Sequence, residues 1–254
     1  MGTMGVVRLD SGEITDQLFQ DVYAFDRVAS STRLGSPPEP LRRELGVSSW
    51  FLRDSNWSPD VPQSAARILS LFEQEGWVRQ SVSSVQATVA DGVIFLEPEV
   101  FTQLLRLTGP ITVDGMTFTA DRFFDELQYA VEVGFAKQGL PIEARKRIVS
   151  TLGQVLVQRL QALPMRQWLE VFDLGLQAFE QKDVMVVMRD PELQRAFDAR
   201  LWSGRARAAS QDELWVVDAN LAALKADGVM DKRIDYQLDM THSDGPRATV
   251  RLTY

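Results

Sequence analysis

The sequence predicts an α/β fold, with a mixed sheet covered by several long helices and a β-hairpin at the C-terminal end. Three observations predict it. Short apolar runs alternate with helical stripes through the first half, giving a β, α, β, α succession. From Ala120 onward, three apolar stripes recur at helical spacing. The last two dozen residues alternate apolar and polar about a Gly-Pro turn. The division expected is an α/β domain over residues 1–204 and a C-terminal β segment over 205–254, the possible start of a separate β module.

In chain order, Val6–Leu9 and Ile14–Phe25 flank Asp10-Ser11-Gly12 and read as a hairpin with a long second arm. Leu41–Leu45 forms a short helical turn before Gly46, and the apolar run Val47–Leu52 reads as a buried strand. Ser64 is placed as the cap of a helix whose Ala65, Ile68, Leu69 and Phe72 share a face. Val82–Val89 alternates, and Asp91–Leu96 reads as a strand covered on both faces. Pro98 opens a helix closed by Gly109-Pro110, and Ile111–Val113 leads into a hairpin through Asp114-Gly115. The three long stripes run through Phe123 and Phe135, Ile148 and Leu160, and Met165 and Phe179, each read as core-facing. Val184–Met188 is a short buried strand, and Pro191 starts a further helix. In the tail, Leu214–Val217 returns to β, and Ile234–Met240 with Ala248–Tyr254 makes a hairpin with one solvated face.

Composition narrows the function. At 254 residues and 45% hydrophobic content, the chain can bury a full core. A formal charge of −8 disfavours general nucleic-acid binding, so any anion site must be local. No cysteine and one histidine, His242, leave no thiolate chemistry and little room for a histidine triad or zinc site. Phosphate-loop, serine-elbow and zinc-peptidase motifs are absent. No run reaches the ~18 apolar residues of a membrane span. The chain begins and stops within strand-like patterns, which reads as a segment of something longer.

The stretch from Trp50 to Ala65 carries most of the candidate chemistry. A strand ending in Arg53 and Asp54, followed by a helix start, brings polar side chains and free helix N–H groups together, which suits an anion. Arg53 can hold phosphate or carboxylate bidentately; the alternative is a structural salt bridge with Asp54 or Asp60. Asp54 and Asp60 could ligate magnesium or act as a base, or close Asx turns. Trp57 could stack on a sugar ring or lipid carrier, or pin its own loop. Asn56 ties the turn or contacts ligand, and Arg67 faces the same cleft or solvent. Arg145, Lys146 and Arg147, with Lys137 before them, could neutralise a pyrophosphate or form a solvated face.

Several blocks together resemble a bacterial envelope family, domain of unknown function 4012. They are Gly2–Gly5 with Asp10-Ser11-Gly12, Arg53-Asp54-Ser55-Asn56-Trp57-Ser58-Pro59-Asp60, Asp91–Ile94, Leu105–Pro110, and Asn220 with Lys225-Ala226-Asp227 before Arg233. Where the family has a glycine after Asn220, this chain has Leu221. That resemblance implies an extracytoplasmic domain, tethered by a membrane helix ahead of the segment. The order of elements is also similar to the LytR-CpsA-Psr proteins, which transfer glycopolymers from a polyprenyl pyrophosphate carrier; that family's opening-strand aspartate and Arg-x-Arg motif have no counterpart here.

These resemblances imply a domain that binds, and could transfer, a pyrophosphate-linked cell-wall or capsule precursor. Arg53 and the cluster from Arg145 to Arg147 would hold the diphosphate, and Asp54 would organise magnesium or serve with Arg53 in catalysis. The alternative is a non-catalytic surface scaffold or adhesion module, in which the motif fixes a loop.

Overall fold

The computed structural model describes residues 3–28, 34–75, 89–130, 144–207, 213–221 and 230–254. The chain divides into two compact units, one of residues 1–37 with 49–213, the other of 38–48 with 214–254. The α/β class and the C-terminal hairpin are both present. Among the described residues the strands pair as four two-stranded antiparallel sheets, where one mixed sheet was expected. The reason is local: three of the four pairs are hairpins closed by short turns, which need no crossover.

The larger unit opens with β1 (Thr3–Asp10) and β2 (Glu13–Asp21). Their turn uses Ser11 and Gly12, both at positive φ, the geometry that matches the twist of the strands it joins. The second arm is shorter than expected, because the chain coils at once into α1 (Val22–Val28). Val22 and Phe25 of α1 join Leu34, Leu52, Ile68, Leu71 and Phe72 in one buried cluster. The last three lie on α3 (Val61–Glu75), whose apolar stripe faces this core. The helix starts three residues before Ser64, so Ser64 lies within its first turn rather than at its cap. The apolar run at 47–52 is not a strand. It is irregular up to a single 3₁₀ turn, Leu52–Asp54, because the fully buried Leu52 points into this core while flanking polar groups find partners of their own.

β3 (Gly92–Leu96) pairs with the distant β6 (Val184–Met188). A side chain at Gly92 would meet the Val187 carbonyl at 2.5 Å, so glycine permits the close approach. β3 is covered on one side only: Val93 and Phe95 pack on the first core, whereas Ile94 and Leu96 are exposed. Between them run α4 (Pro98–Thr108), the hairpin of β4 (Ile111–Val113) and β5 (Met116–Phe118), α5 (Phe123–Tyr129) and α6 (Ala144–Gln161). Leu105, Ile111, Val113, Phe118, Phe123, Ile148, Leu152 and Leu156 bury one another in a second core. Arg159 closes it by donating to the carbonyls of Thr108, Gly109 and Pro110, groups that the end of α4 would otherwise leave unpaired.

The third stripe is a correction. On α7 (Trp168–Gln181) and the turn before it, Met165, Leu169 and Phe172 are exposed. Among the described residues cover is found further along the helix, where Ala178 is buried and Phe179 stacks on Trp202 at 4.5 Å. Helical spacing reports amphipathicity, and the described residues place no apolar face against this part of the helix. α8 (Pro191–Ala199) begins as predicted, with Asp190 accepting from the N–H groups of Glu192 and Leu193.

The smaller unit contains α2 (Glu39–Leu45), which ends on Gly46 in the left-handed conformation, and the hairpin of β7 (Arg233–Asp239) and β8 (Arg247–Thr253). Leu214–Val217, expected as strand, has no ladder partner among the described residues. The expected alternation at Val82–Val89 lies outside the described residues except for Val89.

Candidate functional site

Arg53 lies on the 3₁₀ turn and is held from several sides. Asp26 of α1, only 4% exposed, accepts from the Leu52 N–H at 2.9 Å and from the Arg53 N–H at 3.4 Å. The same carboxylate takes Arg53 Nη1 at 3.0 Å, while Asp54 Oδ2 lies 3.5 Å from Nε. The guanidinium carbon sits 4.2 Å from the centre of the Phe51 ring and 5.3 Å from that of Tyr23. Burial pushes the Asp26 carboxyl above the ordinary carboxylate range, against the opposing pull of Arg53 and the two backbone N–H groups. Burial also raises Asp54, with Arg53 opposing. One guanidinium thus compensates two partly desolvated carboxylates and fastens the motif to α1. Sequence reading names Asp54 as a partner and misses Asp26, although an acid inside the apolar run Val22–Val28 is a signal for a buried ion pair.

The other end of the motif is tied as firmly. Asp60 Oδ1 accepts from the Ala206 N–H at 2.7 Å, and the Val61 N–H donates to the Gly204 carbonyl at 3.2 Å. Position 62 is proline and has no N–H, and the Gln63 and Ser64 N–H groups both donate to the Asp60 carbonyl. The start of α3 therefore has its backbone donors engaged, where free N–H groups for an anion were expected. The Gly204 segment is itself braced by Asp198, which accepts from Ser203 and Arg205.

Between these anchors the loop forms the wall of a pocket. Arg67, two turns into α3, donates through Nη2 to the carbonyls of Leu34 and Trp50 and stacks on the Trp50 indole at 4.3 Å. Trp50 Nε1 donates to the Asp54 carbonyl at 2.9 Å, fixing that ring. The cavity so formed measures about 360 Å³ and is lined by Trp50, Ser55, Trp57, Ser58, Pro59, Gln63, Ser64 and Arg67. Ser55 and Ser64 spend their hydroxyls on the carbonyls of Leu52 and Ser58. Trp57 is half-buried, and among the described residues its indole N–H has no protein acceptor. Trp50 and Gln63 fall within the stretch that the sequence marks out, yet neither reads as a site residue, because an aromatic four residues ahead of Asp54 and a glutamine on the first turn of a helix carry no signal of their own.

Comparison with known families settles the chain's kinship. A family profile described as Protein of unknown function (DUF4012) matches residues 1–131, just over half of the 254-residue chain. The chain belongs to that family. Neither the curated proteins nor the solved structures contain a match to it. The DUF4012 match spans β1 to α5, and so includes both anchors on Arg53, the pocket and its two tryptophans.

Within this DUF4012 chain the expected residues separate into groups. Arg53, Asp54, Trp57 and Asp60 lie in one short stretch, and Arg67 reaches the same pocket as Trp57 from α3, whereas Arg53 does not line it. Asn56 is exposed and lies outside the pocket lining. The side chains of Arg145, Lys146 and Arg147, and all of Lys137, lie outside the described residues. Asp54 and Asp60 do not converge on a cation: one faces Arg53, the other a backbone N–H. Among the described residues no group of three or more acidic or histidine side chains could hold a metal. Asn220 and Arg233 lie beyond the family match, and Lys225 lies outside the described residues. No described helix is long and apolar enough to cross a membrane.

Proposed function

We propose that this chain is an extracytoplasmic cell-envelope module of bacteria that holds a cell-wall or capsule glycopolymer, or its precursor, at the pocket between the Trp50–Asp60 stretch and the start of α3, without transferring it. The observation that carries this reading is the pocket: a concave, largely apolar site with two indoles and a few fixed polar groups is what small-molecule and saccharide subsites require. The paired state of Arg53 supports binding over transfer, because a guanidinium already compensating Asp26 and Asp54 is a poor clamp for a diphosphate. Co-sedimentation of the purified chain with insoluble cell-wall glycopolymer tests it. Saturable pelleting, with no turnover of a polyprenyl pyrophosphate-linked precursor in the presence of magnesium, is the expected result. Turnover would restore the transferase reading.

A non-catalytic scaffold or adhesion role is the second reading, favoured by the tying of the motif at both ends. In that case the loop serves to shape a surface. The chain would then stay in the supernatant while remaining folded.

A further inference from the structure

We infer that the pocket beside the motif is a subsite for an uncharged saccharide ring, with Trp57 as the stacking platform, and that the pyrophosphate end of a lipid-linked precursor is not its ligand. This rests on the glycopolymer-binding reading and names the part of the polymer that the site would take.

The argument begins with what an anion would need. Phosphate sites are built from unspent donors: backbone N–H groups at a helix start, or a guanidinium or ammonium with free N–H positions. The pocket lies against the start of α3, yet that helix start is closed. The Val61 N–H goes to Gly204, Pro62 has none, and the next two N–H groups go to Asp60. Arg67 is the sole guanidinium among the lining residues, and it is pinned edge-on to two carbonyls with its face against Trp50. It works as a brace for the indole, and a charge already engaged in this way adds little to phosphate affinity. Arg53 is tied to Asp26 and Asp54 and does not line the cavity. No lining residue carries a negative charge either, so a cationic ligand has no counter-ion there.

What the cavity does offer suits a sugar. A pyranose has one face of C–H groups, which packs on an indole, and an equatorial rim of hydroxyls, which needs both donors and acceptors. Trp57 supplies the flat apolar face and an indole N–H with no protein acceptor among the described residues. Gln63, exposed on the first turn of α3, accepts from Ser58 through Oε1 at 3.3 Å, and among the described residues its amide N–H groups have no protein acceptor. Rigidity helps, since the platform loop is fastened at Arg53 and at Asp60 before any ligand arrives. At about 360 Å³ the cavity lies at the small end of the roughly 300–1,000 Å³ typical of ligand sites, in keeping with one ring of a longer chain.

The test uses the whole chain. Calorimetry and tryptophan fluorescence would follow titration with three neutral tetrasaccharides, of β-1,4-N-acetylglucosamine, β-1,4-glucose and α-1,4-glucose, beside inorganic pyrophosphate with magnesium and a tetrasaccharide of galacturonate. At least one neutral sugar should bind saturably, with little dependence on salt, and Trp57→Ala should weaken it tenfold or more. Trp57→Phe, which keeps an aromatic face, should recover part of that loss, and circular dichroism should show both variants folded. Binding of pyrophosphate or galacturonate alone would overturn the inference while leaving glycopolymer binding intact. Neutral-sugar binding that ignores Trp57 would overturn the placement. No binding by any of the five, in a protein that still pellets with cell-wall polymer, would overturn the subsite alone; failure of both assays would remove the reading beneath it.

Discussion

The motif loop and the C-terminal hairpin use the same ingredients, charged residues interleaved with apolar ones, and treat them in opposite ways. In the loop the charges turn inward: Arg53 meets a carboxylate that is 4% exposed, and the aromatic rings of Phe51 and Trp50 lie against guanidinium faces. In the hairpin they turn outward and pair with near neighbours in solvent, as Arg247 does with Asp244 at 3.0 Å and Arg233 with Asp235 at 2.7 Å. The hairpin's apolar face, with Ile234 opposite Leu252 and Tyr236 opposite Val250, is also exposed. A charge that compensates a buried partner becomes part of the frame, whereas a pair in water contributes little. For this reason the most polar-looking stretch of the chain is among its most constrained.

Substitutions can break that contrast, beginning with the largest effect. Asp26→Ala would strand the Arg53 guanidinium and two backbone N–H groups at once, and should cost about 3–5 kcal/mol in chemical denaturation. A loss below about 1 kcal/mol would show that the latch does not organise the loop. Next, Leu71→Ala in the first core should cost about 2–5 kcal/mol, whereas Leu238→Ala on the hairpin should stay within about 0.5 kcal/mol in the same urea titration. Equal losses would mean that the hairpin face is buried in solution. Arg67→Ala should cost about 1–3 kcal/mol by leaving the Leu34 and Trp50 carbonyls without their donor. Lysine should not restore it, since one ammonium cannot both bridge the two carbonyls and stack on the indole.

The smallest effect is one of pH. Burial raises Asp26 and Asp54 above the ordinary value of 3.8, so the folded protein holds protons that the unfolded chain has released. The stability these groups confer is complete below the unfolded value and is lost as pH rises through the folded one. Asp54→Asn removes one such group. Its stability relative to the parent should therefore climb with pH through that window and level off on either side, as urea midpoints at pH 3 to 7 would show. A flat difference would place Asp54 in water.

Much of the fold was legible in local pattern. Turn chemistry at Ser11-Gly12 and Asp114-Gly115, the Pro-led helices at Pro98 and Pro191, and the alternation in the hairpin all follow from neighbours within a few residues. The family was legible too, because the Asp-Ser-Asn-Trp-Ser-Pro-Asp block is distinctive without any contact being known. Less was legible where partners are distant. Val47–Leu52 reads as a strand until Leu52 is seen anchoring a 3₁₀ turn, and the stripe of Met165, Leu169 and Phe172 reads as core until nothing described covers it.

The sequence by itself determined the α/β class, the absence of thiol chemistry, the acidic balance and the loop that sets this family apart, all properties of composition or of short-range order. Only the tertiary structure decided what holds that loop. Arg53 is paired with an aspartate 27 residues upstream, the start of α3 is closed by a carbonyl from Gly204, and Arg67 braces an indole. A side chain's chemistry is settled by which donors and acceptors are already taken, and those partners are fixed by folding over distances that no local pattern records.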